Sequence, residues 1–167
     1  MKKVLLLKKI AGLLTLCMGL FLFMMAFRVN DNKVYSIGDT VEDFSLKNFD
    51  GKMVSLSGLS DAKGVIIVFT SNECPFDQAY EKRLISLDQK YRPDGFKLIA
   101  INPNNPTIST ADNFAAIQAR AEQKSFAFPF LFDESGSMRT RFGVIRSPHA
   151  FVLDASRKIV YSGAIDD

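Results

Sequence analysis

An uncharged apolar run near the N-terminus limits the fold more than any other feature of this sequence. Residues 10–27 contain no Asp, Glu, Lys or Arg, and as a helix rising about 1.5 Å per residue they span roughly the hydrocarbon core of a bilayer. The rest of the 167-residue chain is too small to surround such a helix with protein on every side. We therefore predict that residues 1–30 are a signal anchor or transmembrane segment outside the folded domain.

The distribution of charge along the chain predicts on which side of the membrane the folded domain lies. Five of the 21 basic residues and none of the 18 acidic residues lie in residues 1–30. Because positive flanks tend to stay cytoplasmic, the domain that follows is expected on the extracytoplasmic (periplasmic) side. That domain keeps 16 basic and 18 acidic residues, a balance that gives no electrostatic case for binding nucleic acid.

Two other fates of the leader stay open. Cleavage as a signal peptide would secrete the domain, although Met25-Ala26-Phe27-Arg28 is a poor cleavage site. The second alternative is lipidation at Cys17, although Leu16 precedes this cysteine, where lipidation sites prefer a small residue.

Residues 31–35 are polar and predict a tether, and residues 36–167 predict one domain of the α/β class. Residues 65–69 are continuously apolar and rich in β-branched side chains, as in a strand covered on both faces. Pro75 is suited to the first position of a helix. Apolar residues then recur at helical spacing: Phe76, Tyr80, Leu84, Leu87 and Tyr91. With a second buried strand at residues 96–101, this is the βαβ pattern of a parallel sheet.

Further elements complete this domain. Residues 44–46 and 53–56 predict a hairpin around Asp50-Gly51, a turn that needs positive φ. Residues 109–112 resemble a capping box, with the apolar stripe of Phe114, Ile117 and Ala121 behind it. Residues 128–132 are a short apolar segment, and residues 137–142 predict one or two helical turns. Residues 150–153 and 158–161 predict a closing antiparallel hairpin.

Cys74 is the candidate reactive group. It is the only cysteine outside the leader, so the domain cannot close an internal disulfide. It follows a buried strand and begins a helix, whose free N–H groups and dipole favour a thiolate. Ser71 is placed to add a hydrogen bond to the sulfur, whereas the Glu73 carboxylate opposes a second negative charge. The alternative is that Cys74 is a small buried apolar residue.

Four landmarks follow one another in the domain: Ile37-Gly38-Asp39, Ser71-Asn72-Glu73-Cys74-Pro75, Arg146-Ser147-Pro148-His149 and Gly163-Ala164-Ile165-Asp166-Asp167. In their order and spacing they resemble the thioredoxin superfamily, specifically the peroxiredoxin-like proteins of the alkyl hydroperoxide reductase and thiol-specific antioxidant group. The resemblance implies a thioredoxin-like fold, with a central mixed sheet flanked by helices. It also implies a cis peptide bond before Pro148, opposite Cys74.

The same resemblance implies roles for residues of the site. Cys74 would be the catalytic thiol with the Ser71 hydroxyl as its partner, and Pro148 and Arg146 would contact the substrate. For Arg146, an exposed surface charge is the alternative. Relatives of this group often carry a cysteine where this chain has Ser71, and tend to continue with a further helix and a further cysteine. Peroxiredoxins place a proline four residues before the hydroxyl, where this chain has Ile67.

These features predict a thiol oxidoreductase that attacks a peroxide or a protein disulfide and is resolved by an external thiol. One alternative is a non-catalytic module that binds an extended peptide at the Pro148 edge, and another is a truncated product lacking a resolving cysteine. No metal is expected, because His149 is the only histidine and nothing clusters with it. No cofactor is expected, because the sequence has no Gly-rich phosphate loop.

Overall fold

The computed structural model describes residues 34–104 and 109–166. Within these ranges the chain forms seven strands, three α-helices and two short 3₁₀ turns. The strands are β1 (Ser45–Asn48), β2 (Met53–Ser55), β3 (Gly64–Phe69), β4 (Phe96–Asn102), β5 (Phe130–Phe132), β6 (His149–Asp154) and β7 (Ile159–Gly163). The helices are α1 (Pro75–Tyr91), α2 (Phe114–Gln123) and α3 (Ser137–Arg141), and the 3₁₀ turns are Ser57–Leu59 and Thr110–Asp112.

The predicted leader, residues 1–30, lies outside the described residues. Among the helices of the two described ranges, none combines the length and the apolar character that a membrane span requires.

The strands form one mixed sheet in the order β2-β1-β5-β4-β3-β6-β7. β3 pairs in parallel with β4 and antiparallel with β6, so the predicted βαβ unit and the closing β6-β7 hairpin are both confirmed. The predicted hairpin of β1 and β2 is also present, and Gly51 in its turn has φ +83°. Phe69 at the end of β3 is opposite His149 at the start of β6. This register brings the segments 70–74 and 145–148 to the same edge of the sheet.

Alternate residues of β3 enter two separate cores, because successive side chains of a strand point to opposite faces. Ile67 and Phe69 pack on one face with Phe142 and Phe151. Ile66 and Val68 pack on the other face with residues that include Leu84 of α1. Every residue of β3 is buried, as the continuous apolar run predicted.

The buried face of α1 matches the predicted apolar stripe only in part: Leu84 is buried, and Leu87 and Tyr91 pack against the same core. Phe76 is 72% exposed, and the buried residues of the helix are Asp77, Glu81, Leu84 and Asp88. Buried carboxylates are tolerated where donors satisfy them. Glu81 forms ion pairs with Arg120 and Lys124 of the neighbouring helix, and Asp88 pairs with Arg92. Periodicity correctly predicted the helix and part of its apolar face, but not the exposure of Phe76 or the burial of the three carboxylates.

The start of α2 also differs from the sequence expectation. Residues 110–112 form a 3₁₀ turn, and Ser109 makes no capping hydrogen bond. Asn113 is the N-cap instead, because its side-chain oxygen accepts a hydrogen bond from the Ala116 N–H at 2.9 Å. The predicted stripe is otherwise correct, since Ile117 and Ala121 are buried.

Candidate functional site

Cys74 is the N-cap residue of α1, with extended backbone angles (φ −72°, ψ 120°) and Pro75 at the first helical position. The thiol is free and its residue is half-buried. The Cys74 N–H donates to the Ser71 Oγ at 3.3 Å, which closes the turn that leads into the helix. The structure therefore confirms the predicted location of Cys74 at a helix N-terminus.

The structure adds Asp77, which the sequence argument did not identify. Its side chain is fully buried (0% exposed), and its Oδ2 accepts three hydrogen bonds. The Ser71 N–H donates at 2.7 Å, the Ser71 hydroxyl at 2.8 Å and the Ser147 hydroxyl at 2.7 Å. Asp77 thus joins the turn before Cys74 to the loop before Pro148.

The second oxygen of this carboxylate is in a different environment. Asp77 Oδ1 is buried and has no hydrogen-bond partner in the part of the chain that the structure describes. Burial raises the pKa of Asp77 above its usual range, and the hydrogen bonds from Ser147 and Ser71 oppose this shift. The negative charge of Asp112 adds to the rise.

A second buried carboxylate anchors the loop that precedes Cys74. Asp112 is 0% exposed, and its Oδ1 accepts from the Asn72 N–H and from Asn102 Nδ2, each at 2.7 Å. Its Oδ2 accepts from Asn104 Nδ2, also at 2.7 Å. The backbone before Cys74 is therefore tied to the end of β4.

The loop before β6 lies at the same edge of the sheet. The Ser147–Pro148 peptide bond is cis, as the resemblance implied, and Pro148 is half-buried. Arg146 is exposed and forms no ion pair among the described residues. Its role in substrate binding stays a prediction. His149 stacks on Phe151 with ring centroids 4.7 Å apart, and its Nε2 lies 3.0 Å from Ser162 Oγ. Burial and the positive charge of Arg146 lower the pKa of His149.

Two large apolar side chains are exposed on the segments that carry Cys74 and Pro148. Phe76, two residues after Cys74, is 72% exposed, and Ile145, three residues before Pro148, is 85% exposed. An open cavity of about 450 Å³ has Glu73, the residue before Cys74, and Arg139 among its lining residues. The segments that meet at this edge of the sheet therefore carry exposed apolar side chains as well as charged ones.

One prediction about Ser71 needs correction. We expected its hydroxyl to donate to the sulfur, but the hydroxyl proton is directed to Asp77 Oδ2. A serine hydroxyl has a single proton to donate, so in this arrangement Cys74 does not receive it. The sequence did contain a signal for Asp77, because an acidic residue in the first turn of a helix interacts favourably with the dipole. Its burial and its link to Ser147 depend on tertiary contacts.

A mixed sheet, a cysteine at the start of its first long helix and a cis-proline loop beside it define a thioredoxin-like thiol protein. The chain belongs to the AhpC/TSA family, whose sequence pattern matches residues 37–162.

Individual relatives agree with this placement. The thiol-disulfide oxidoreductase ResA of Bacillus thuringiensis subsp. konkukian is 26% identical over 161 residues, which cover 96% of this chain and 88% of ResA. The chloroplastic peroxiredoxin Q of Triticum aestivum is 28% identical over 142 residues, covering 75% of this chain and 58% of that protein. The crystal structure of a putative thiol:disulfide interchange protein DsbE from Chlorobium tepidum superposes with a TM-score of 0.65 at 23% identity, covering 77% and 85% of the two chains. At that identity the last similarity shows the fold alone.

Proposed function

We propose that this protein is a thiol-dependent oxidoreductase in which Cys74 is the single reactive cysteine and an external thiol completes the cycle. The observation that carries the proposal is the position of the thiol. It is half-buried at the N-cap of α1, where the unpaired amides favour a thiolate. The names of the relatives, a thiol-disulfide oxidoreductase and a peroxiredoxin, support the same class of chemistry.

Both candidate reactions begin with the same nucleophile. With a disulfide, the Cys74 thiolate attacks one sulfur, forms a mixed disulfide and expels the other sulfur as a thiolate. With a peroxide, it attacks one oxygen, forms a sulfenic acid and expels an alkoxide or hydroxide that takes up a proton. In either case an external thiol attacks the modified sulfur of Cys74, displaces the substrate thiol or water, and forms a new mixed disulfide. A second external thiol attacks the external sulfur of that bond, which frees the Cys74 thiol and releases the two external thiols as a disulfide.

Mass spectrometry tests the role of Cys74. The full chain carrying Cys17→Ser leaves Cys74 as the only thiol, and its matched control carries Cys74→Ser as well. After treatment with hydrogen peroxide or with a disulfide, we expect a sulfenic acid or a mixed disulfide on Cys74 and no adduct in the control. A Cys74 that reacts no faster than the same thiol in an unfolded peptide would contradict the proposal.

The exposed apolar pair favours a protein disulfide over a small peroxide. Phe76 and Ile145 lie on the segments that carry Cys74 and Pro148, and both are largely exposed. Exposed apolar side chains near a nucleophile provide contact area for a polypeptide but little for hydrogen peroxide. The matched variants Phe76→Ser and Ile145→Ser should slow reduction of a disulfide-bonded protein several-fold and leave the reaction with hydrogen peroxide nearly unchanged. Equal effects on both substrates would argue against a polypeptide substrate.

The same apolar pair supports a second candidate function. A thioredoxin-like module that only binds an extended peptide at the Pro148 edge would use Phe76 and Ile145 without needing the thiol. Cys74→Ser distinguishes the two. If the protein is an enzyme, Cys74→Ser should lose all oxidoreductase activity and still bind peptide. If it is only a binding module, the wild type and Cys74→Ser should both lack oxidoreductase activity.

We further propose that residues 1–30 anchor the protein in the membrane, residues 31–35 are a tether, and residues 36–167 form the domain on the extracytoplasmic side. The charge pattern of the leader supports this topology. In intact cells that express the Cys17→Ser chain, a membrane-impermeant maleimide should label Cys74. Labelling that occurs only after lysis would contradict the topology, and labelled protein in the medium would indicate cleavage.

A further inference from the structure

An open groove of about 360 Å³ lies between α1 and the segment that follows β7. Leu87, Tyr91 and Ile165 line this groove, and they also line a second cavity of about 250 Å³. The second cavity extends to side chains of β3, β6 and β7. The two depressions therefore adjoin one another, and together they are called the α1 groove.

The second cavity of the α1 groove is apolar. Every residue that lines it is aliphatic or aromatic, and the Tyr161 hydroxyl already donates to the Ala164 carbonyl oxygen at 2.6 Å. Tyr161 is 43% exposed, and Leu87 and Ile165 are half-buried. Covering these side chains would remove apolar surface from water, which favours the binding of an apolar partner surface.

The charges beside this apolar surface are almost all positive. The three acidic residues of α1 are buried, whereas its three basic residues, Lys82, Arg83 and Lys90, are exposed and line the groove. One carboxylate among the described residues lines the groove, that of Asp166, and it pairs with Arg83 at 3.0 Å. Lys82 and Lys90 form no ion pair among the described residues. The groove therefore offers two unpaired cations to an anionic partner.

The spacing of these groups matches one face of a helix. Lys82 and Lys90 lie about two turns apart on α1, about 12 Å along its axis, and Leu87 lies between them. An amphipathic helix with acidic residues two turns apart beside an apolar stripe presents the complementary pattern. A bilayer surface is broad and flat, so it would not reach the apolar side chains inside the groove.

We infer that the α1 groove is a docking site for an acidic amphipathic helix of a partner protein. The apolar face of that helix covers Leu87, Tyr91 and Ile165, and its carboxylates pair with Lys82 and Lys90. Leu87 lies more than three turns along α1 from Cys74, about 20 Å away along the axis. A docked helix therefore leaves the thiol accessible, and the inference does not depend on the chemistry of Cys74.

Fluorescence anisotropy with a labelled synthetic peptide tests the inference. The probe is an amphipathic helix of about 18 residues, long enough to be helical, with Leu along one face and two Glu residues two turns apart. Its matched control has Lys in place of both Glu residues. With the full Cys17→Ser chain in phosphatidylcholine nanodiscs, we expect the acidic peptide to bind about tenfold more tightly than the basic one, and added salt to reduce this preference. Equal binding of the two peptides would overturn the inference.

Charge reversal locates the binding surface. Lys82→Glu with Lys90→Glu should weaken binding of the acidic peptide about tenfold and create binding of the basic peptide. Lys52→Glu with Lys158→Glu makes the same change of charge at two lysines outside the groove, and should bind the acidic peptide as the wild type does. Ile165→Ser should weaken binding several-fold through lost apolar contact. Equal losses in the two double variants would show a non-specific attraction and contradict the proposed site.

Three other outcomes would assign the binding elsewhere and overturn the inference. Protection of Cys74 from iodoacetamide by the peptide would place the peptide at the catalytic edge. Shielding of Lys82 and Lys90 from an amine reagent when phosphatidylglycerol replaces part of the phosphatidylcholine would assign the groove to a lipid surface. Dimers in neutral detergent that Lys82→Glu with Lys90→Glu abolishes would assign it to a second copy of the chain. None of these measurements needs turnover, so their failure is separate from a failure of the oxidoreductase reactions.

Discussion

Asp112 offers the most direct test of how the loop before Cys74 is held. Asp112→Ala would remove the acceptor for three donors: the Asn72 N–H, Asn102 Nδ2 and Asn104 Nδ2. Asn102 is fully buried, so its amide would lose its partner without gaining water, whereas the other two are partly exposed. A buried donor without a partner costs about 1–3 kcal/mol, and a hydrogen bond to a charged group is worth about 1.5–3 kcal/mol. Allowing for solvent at two of the donors, we expect a loss of about 3–5 kcal/mol in the free energy of unfolding.

The variant Asp112→Asn refines this prediction. Its oxygen can still accept from the Asn72 N–H and Asn102 Nδ2, but its amide would face the amide of Asn104, so the loss should be about 1–3 kcal/mol. Urea unfolding measures both values, and alkylation of Cys74 reports whether the loop has loosened. Asp61→Asn, at an exposed carboxylate, is the control and should change stability by less than about 0.5 kcal/mol. A loss below about 1 kcal/mol for Asp112→Ala would refute the view that this carboxylate anchors the loop.

Three further predictions follow from the same geometry. In the Cys17→Ser chain, Ser71→Cys puts a second sulfur in the turn with Cys74 and should close an internal disulfide on mild oxidation; intact mass after alkylation checks this, and two labelled thiols would contradict it. Folding raises the pKa of Asp77, so its stabilising contribution is full when it is protonated and is lost as the pH rises through the folded pKa. Asp77→Asn should therefore gain stability relative to wild type as the pH rises above about 4, the usual pKa of an aspartate, and a stability difference that stays constant with pH in urea unfolding would be inconsistent with this. Asn113→Ala should lower the free energy of unfolding by about 1 kcal/mol, because it removes the helix cap, and should lower the midpoint of thermal unfolding accordingly. Ser109→Ala should change that midpoint very little; comparable decreases for the two variants would indicate that Ser109 also caps the helix.

The elements that could be predicted are those with a local cause. β3 was recognisable because a strand covered on both faces must be apolar at every position, and α1 because Pro75 can begin a helix and Pro93 lies just beyond its end. The cysteine at the helix start followed from the same two elements. Sequence reasoning failed where two local signals competed, as at the start of α2, where both Ser109 and Asn113 are residues that cap helices.

The burial of carboxylates on α1 could not be predicted, because it depends on partners distant in the chain. Hydrophobic periodicity placed Phe76 inside and left Asp77 and Glu81 outside, yet the structure reverses this. The ion pair of Glu81 with Arg120 of α2 and the hydrogen bond from Ser147 to Asp77 Oδ2 stabilise these carboxylates. Neither contact is visible in a window of neighbouring residues.

The sequence by itself determined the order of strands and helices along the chain and the position of the thiol at the start of a helix. It also determined the apolar, positively flanked leader. Each of these features follows from the chemistry of adjacent residues. Only the tertiary structure decided that the Ser71 hydroxyl is donated to a buried carboxylate instead of to the sulfur. The physical reason is that a hydroxyl has one proton, and which acceptor receives it depends on the distance and charge of groups that folding brings together.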